Sequence, residues 1–184
     1  MTYGQNIAAI STAPGTGGVA VIRISGESPL AIAEKMFRPI GKTPVKDFEP
    51  YKMYPGEIDG GDFTDFGMCV FFRGPKSYTG EDTIEFHCHG GVAISRGVLK
   101  RALALGARMA TNGEFTRRAF LNGKMSLSSC EGLIDMINSE SVGGEAHLRA
   151  CVSQCGYRLS GRRGRRGQCG GYPRESLRSA EKNG

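Results

Sequence analysis

Large apolar side chains nearly vanish beyond residue 144. Between residues 145 and 184 only Leu148, Val152, Leu159 and Leu177 are Leu, Ile, Val, Phe or Met. So little apolar surface cannot offset the entropy of ordering a chain, and residues 144–184 are expected to form a disordered, basic, Gly/Arg-rich tail. Any fold must come from the first 143 or so positions, which is enough for one core. Charge divides at the same place. Residues 1–144 hold 15 Lys and Arg against 15 Asp and Glu, so the formal net charge of +6 belongs to the tail. A basic stretch confined to a glycine-rich end argues first for disorder, and not for a phosphate-binding face on the folded part.

No run approaches the roughly 18 apolar residues of a membrane span. The start MTYGQNIAAI has neither a basic region nor the apolar core of a secretory signal. The expectation is a cytoplasmic protein with no membrane partner. Cys69, Cys88 and Cys130 are scattered without CxxC spacing and read as reduced thiols. Cys151, Cys155 and Cys169 lie in the tail with His147 close by, a set too loosely patterned to be assigned as a zinc site.

Alternation in VAVIRIS predicts a strand over Val19 to Ser25, with Ala20, Ile22 and Ile24 on one face and Arg23 on the other. Ser28-Pro29 then opens a helix running to Phe37, with Pro39 as its stop. Two antiparallel strands are expected in YKMY and Phe66 to Phe72, around Gly60-Gly61. RGPKSYTGED is too rich in Gly and Pro to be regular, and it leads into a strand over Thr83 to Cys88 that places Thr83, Glu85 and His87 on one face. A helix over Val92 to Leu105 ends at Gly106, ARMA is a short strand, and GEFTRRAFLNGK is a helix ended by Gly123. Ser128 and Glu131 form a capping box for a last helix through Ile137. The pattern is α+β: a small mixed or antiparallel sheet with packed helices.

GTGGVA at Gly15 to Ala20 matches a dinucleotide fingerprint in letters only, since a strand follows it where a helix is required. It reads as a tight connection bringing backbone close to a ligand or a neighbouring strand. No GxxxxGK[ST] phosphate loop is present. His87 and His89 share a side of their strand, and Glu85 could join them, but two imidazoles at a Gly-Gly turn make an incomplete metal set and no metal ligand is assigned. Arg23 and Glu85 interrupt apolar strands, and mutual pairing or solvent exposure is the ordinary explanation for such residues. Lys124 carries no signal of its own.

Taken together, ISTAPGTGGVAVIRISG, GPKSYTGEDTIEFHCHGG and GEFTRRAFLNGKMSLSSCEGLIDMI resemble, in order and spacing, the N-terminal domain of the TrmE (MnmE) family of tRNA modification GTPases. The resemblance implies a domain over 1–124, the start of a helical domain over 125–143, and a homodimer. It also implies binding of 5-formyltetrahydrofolate or a related reduced folate, with Arg23 in the RISG motif, Glu85 in GED-x-x-E and Lys124 after FLN as cofactor-binding residues. The chemistry is consistent, because a carboxylate suits the N–H edge of a pterin and cations suit the anionic folate tail. In the full-length family an MnmG-type flavoprotein and tRNA are partners and the wobble uridine is the target. GTP, potassium and magnesium belong to a GTPase domain whose phosphate loop is missing here, so this chain is expected to be inactive alone and no catalytic residue is assigned. Beyond Ile137 the text departs from the family's amphipathic helices, which points to a frameshift or an early stop. The alternative is a basic-tailed RNA-binding protein without one-carbon chemistry, since Arg/Gly-rich segments bind RNA.

Overall fold

In a computed structural model, which describes residues 4–15 and 17–138, the run VAVIRISG becomes the central strand β2 (Val19–Gly26). Along its whole length it is antiparallel to β6 (Asp82–His89), in a register that sets Ile22 opposite Phe86 and Arg23 opposite Glu85. The other strands are β1 (Ile7–Ile10), β3 (Phe37–Pro39), β4 (Met53–Asp59), β5 (Thr64–Phe72) and β7 (Arg108–Met109). They join one sheet in the order β3-β4-β5-β6-β2-β1-β7, antiparallel throughout except where β1 meets β7. The fold is α+β, as the pattern of strands and helices predicts. The expected tail, with Cys151, Cys155, Cys169 and His147, lies outside the described residues.

Period-two alternation gives the sheet two unlike faces. One carries Ile22, Ile24, Ile58, Phe71, Ile84 and Phe86, all fully buried. Helix α1 (Pro29–Met36) covers this face with Ile32, Ala33 and Met36, and α2 (Val92–Ala104) with Val98, Leu99 and Ala102. Each large aliphatic or aromatic side chain buried there contributes about 1.5–3 kcal/mol, so this face holds the fold together. Cys69 and Cys88 lie in the same core, where burial raises both thiols, Cys88 to about 11.

Three boundaries differ from the local pattern. The strand expected in YKMY runs instead from Met53 to Asp59, because its pairing with β5 continues to Asp59 opposite Thr64. Helix α1 stops at Met36, and Phe37 starts β3 because its backbone pairs with Ile58 while its ring sits 6.1 Å from Phe48 and 6.2 Å from Phe86. Tertiary pairing there overrides helical periodicity. Helix α4 (Leu127–Asn138) is capped by Ser126, whose Oγ accepts the Ser129 N–H at 3.2 Å. Ser128 already lies inside the first turn, so it is not the cap and forms no capping box with Glu131.

Helix α3 (Glu114–Leu121) lies on the other face and docks through charge. Glu114, only 2% exposed, accepts from the Thr111 N–H at 2.8 Å and the Thr111 hydroxyl at 3.0 Å, and pairs with both Arg108 and Arg118. Arg118 also donates to Glu81 at 2.9 Å, and Glu81 in turn accepts from the Ser25 hydroxyl at 3.0 Å. Among the described residues no buried side-chain nitrogen or oxygen lacks a hydrogen-bond partner.

The hydrogen bond from Arg108, opposed by burial, holds the Glu114 carboxyl at about 2 against an ordinary 4.5. A depressed carboxyl contributes stability above its unfolded pKa and loses it as the pH falls towards the folded one. Glu114→Ala is therefore expected to cost about 2–4 kcal/mol at pH 7, since it strands two arginines. In denaturant melts the gap between wild type and variant should narrow between about pH 4.5 and 2; a gap as wide at pH 3 as at pH 7 contradicts this role.

Candidate functional site

Where residues 73–81 and the turn after α3 meet the sheet they leave a cavity of about 310 Å³, and Arg23, Glu85 and Lys124 all line it. The β2–β6 register brings the first two together: Nε and Nη2 of Arg23 lie 2.8 and 2.7 Å from Oε1 of Glu85. The guanidinium is further held 5.3 Å from the ring centre of Tyr78 and 5.7 Å from that of Phe115, within cation–π range. Arg23 and Glu85 are thus paired, as the ordinary reading of such residues expects, but the pair forms the wall of a cavity. Its side chains are 25% and 13% exposed, and each carboxylate oxygen retains lone pairs for a ligand.

The second oxygen of Glu85 lies 3.3 Å from Nε2 of His87. Burial works to raise the Glu85 carboxyl, but hydrogen bonds from His87 and Arg23 together with the Arg23 charge outweigh it and hold the group below the usual carboxylate range. A carboxylate kept ionised in a half-buried place is suited to accept from polarised N–H donors. His89 turns to a different acid: its Nδ1 is 2.7 Å and its backbone N–H 2.8 Å from the Asp65 carboxylate. The two imidazoles are therefore each committed to a separate partner. No group of three or more His, Cys, Asp and Glu among the described residues is placed to hold a metal ion.

Lys124 arrives from the turn after α3, where Gly123 has a φ of +68°. Its ammonium donates to the Pro75 carbonyl at 2.9 Å. The Asn122 amide donates to the Thr79 carbonyl at 2.7 Å, and the Tyr78 hydroxyl lies 2.9 Å from that of Thr116. Gly80, at φ +84°, is required here, since a Cβ on it would stand 3.0 Å from Asn122 Cβ. Residues 73–81 are thus fastened to α3 and the turn that follows it. Phe72, Met125 and Tyr51, the last edge-on to Phe72 at 5.6 Å, supply apolar wall. Charged floor, aromatic sides and a cationic rim suit a flat polar heterocycle with an anionic extension.

Tyr51, Lys76, Tyr78 and Met125 are part of this wall, yet nothing in the sequence pattern marked them. The signal that existed was the residue mix of RGPKSYTGED, where a lysine and a tyrosine sit in a stretch too irregular to be strand or helix. The GTGG connection turns out to meet a neighbouring chain segment: the Gly17 N–H donates to the Gly90 carbonyl at 3.0 Å and the Gly90 N–H to that of Gly18 at 3.3 Å. A Cβ on Gly90 would collide with the Gly17 carbonyl.

Residues 6–124 match the family model described as GTP-binding protein TrmE N-terminus. A tRNA modification GTPase MnmE from Symbiobacterium thermophilum is 44% identical over 156 residues, covering 82% of this chain and 34% of its own length. The protein of the same name from Roseiflexus castenholzii is 46% identical over 144 residues, 77% of this chain and 30% of its own length. That from Geobacter sulfurreducens is 44% identical over 161 residues, 86% and 34%. The chain spans about a third of the length of the curated relatives it matches.

Since Asn122 ties down the Thr79 carbonyl, Asn122→Ala is expected to cost about 1–2 kcal/mol. Amide hydrogen exchange should rise selectively over residues 76–81 and stay unchanged in β2. A uniform rise in both segments would show that the side chain supports the whole domain and not the cavity wall.

Proposed function

The chain belongs to the TrmE N-terminal family, and from that membership we propose that its cavity binds a reduced folate of the 5-formyltetrahydrofolate type through Arg23, Glu85 and Lys124. The observation that carries this reading is the convergence of those three residues, from β2, β6 and the turn after α3, on one cavity of about 310 Å³. The donor set fits the group. Glu85, held ionised, would accept from the N–H edge of a pterin, the aromatic lining of Tyr78 and Phe72 suits flat rings, and Lys124 suits the anionic tail. When bound, the folate supplies a one-carbon unit; the chain's own residues bind it, orient it and screen it from water.

In a protein of the relatives' length this module serves modification of the wobble uridine of tRNA, with an MnmG-type flavoprotein as partner. GTP, potassium and magnesium act in the remainder of such a protein. The module is residues 1–124, followed by the start of a helical region over 125–143 and a basic tail over 144–184. It pairs with a second copy. In support, Val19, Met53, Phe66 and Met68 leave a contiguous apolar depression of about 370 Å³ on the cavity-bearing face, with exposures of 58, 49, 53 and 41%. Apolar surface of that kind on a sheet marks an interface.

Glu85→Gln preserves shape but turns one acceptor oxygen into a donor. It is expected to weaken 5-formyltetrahydrofolate binding by about 1.5–3 kcal/mol, roughly ten- to more than a hundredfold, by calorimetry on the full chain. Stability should fall by only about 1 kcal/mol or less, because the remaining carbonyl oxygen still accepts from Arg23. Wild-type affinity in the variant, or no binding by folded wild-type protein, would refute the assignment.

A further inference from the structure

We propose that Lys76 sets specificity at the cavity rim, reading extra carboxylates on the ligand's tail, so that the site prefers a reduced folate with a chain of several γ-linked glutamates over one with a single glutamate. The inference rests on the folate reading above and adds to it the part of the ligand that lies outside the cavity.

The charged groups of the cavity are sorted by depth. Glu85 and Arg23 are paired against the sheet, Lys124 is half-buried, and Lys76 is exposed. Both lysines line the cavity, and the Lys124 ammonium donates to the carbonyl of Pro75, the residue before Lys76. Two cationic side chains on one cavity lining favour an anion between them. Among the described residues, neither Lys76 nor Lys124 takes part in an ion pair with a carboxylate. Arg23, the arginine that lines the cavity, is paired to Glu85, so among the lining residues the cations without a carboxylate partner are Lys76 and Lys124.

Size sends the tail to that rim. At protein packing density a pterin and the aromatic ring attached to it fill a cavity of about 310 Å³. The glutamyl part must then leave past Lys124 and Lys76. Lys124, fixed on the Pro75 carbonyl and closer to the interior, meets the first carboxylate. Lys76, one residue further along and in solvent, meets those that follow. Each further γ-linked glutamate adds one carboxylate within reach of a mobile, solvated ammonium, which strengthens binding modestly and in a salt-dependent way.

Calorimetry on the full 184-residue chain with the monoglutamyl and triglutamyl forms of 5-formyltetrahydrofolate tests this. Wild-type protein should bind the triglutamyl form about fivefold more tightly at low ionic strength, and less so in about 0.5 M salt. Lys76→Gln should bring that ratio to about twofold or below. Lys35→Gln removes the same charge from α1, on the opposite side of the sheet, and should leave the ratio as in wild type. Lys76 is exposed, so melting temperatures of all three proteins should coincide. A wild-type ratio near one overturns the proposal, as does a ratio that Lys76→Gln leaves intact or that Lys35→Gln lowers equally. If neither folate form binds folded wild-type protein, the folate reading fails and this inference with it.

Discussion

The register between β2 and β6 is the constraint on which both the core and the site depend. Eight consecutive residue pairs lock the two strands, from Val19 opposite His89 to Gly26 opposite Asp82. Because successive side chains alternate between faces, the same register that sends Ile22, Ile24, Ile84 and Phe86 into the core sends Arg23 and Glu85 out to the other face, side by side. A slip of β2 by one residue would turn Arg23 into the core and expose the fully buried Ile22 and Ile24. The site is therefore protected by the hydrophobic effect, since the charged pair can be misaligned only at the cost of the core. Ligand geometry and fold stability are set here by the same hydrogen-bond ladder.

The two faces of the sheet solve their packing problems by different physics. Against α1 and α2 the contact is apolar and non-directional, built from Ile32, Met36, Val98 and the strand residues they touch. Against α3 it is a chain of directional contacts from Arg108 through Glu114, Arg118 and Glu81 to Ser25 and Thr79. Buried charges of this kind contribute little net energy compared with apolar packing, but they specify one arrangement, because each partner removed leaves another unsatisfied. A cavity roofed by such contacts keeps its shape. Apolar packing alone would favour collapse onto the sheet, whereas α3 is held by contacts of fixed side-chain length, and residues 73–81, fastened to α3 and the turn after it, wall the candidate binding site.

Depth and charge vary together within that space. The carboxylate of Glu85 sits where solvent is scarce and its interactions are strongest, while the lysines stand where water screens them. A ligand recognised by such a gradient is oriented end to end before any single contact forms. The same outer face continues beyond His87 into the exposed apolar group of Val19, Met53, Phe66 and Met68, so the proposed self-association and the proposed ligand site adjoin on one sheet surface. His87 lies between them, hydrogen-bonded to Glu85 on one side and lining the apolar depression on the other.

Local pattern alone determined the long elements. Strands β2, β5 and β6, helix α2 and the glycine stops at Gly106 and Gly123 were legible because alternation, helical spacing and left-handed glycines are properties of neighbouring residues. Arg23 and Glu85 could be singled out as charges in apolar strands, and the motif resemblance added Lys124. What only the tertiary structure decided lay in contacts distant in sequence. Phe37 left its helix for a strand edge because Ile58 and Phe86 were there to receive it. The four-residue β1 exists because β2 and β7 flank it. Lys76 and Tyr78 became cavity wall because Thr116, Asn122 and Lys124, some forty residues further along the chain, hold residues 73–81 in place. Irregular backbone has no period to read, so its conformation follows from its partners, and those are chosen only when the sheet and α3 have assembled.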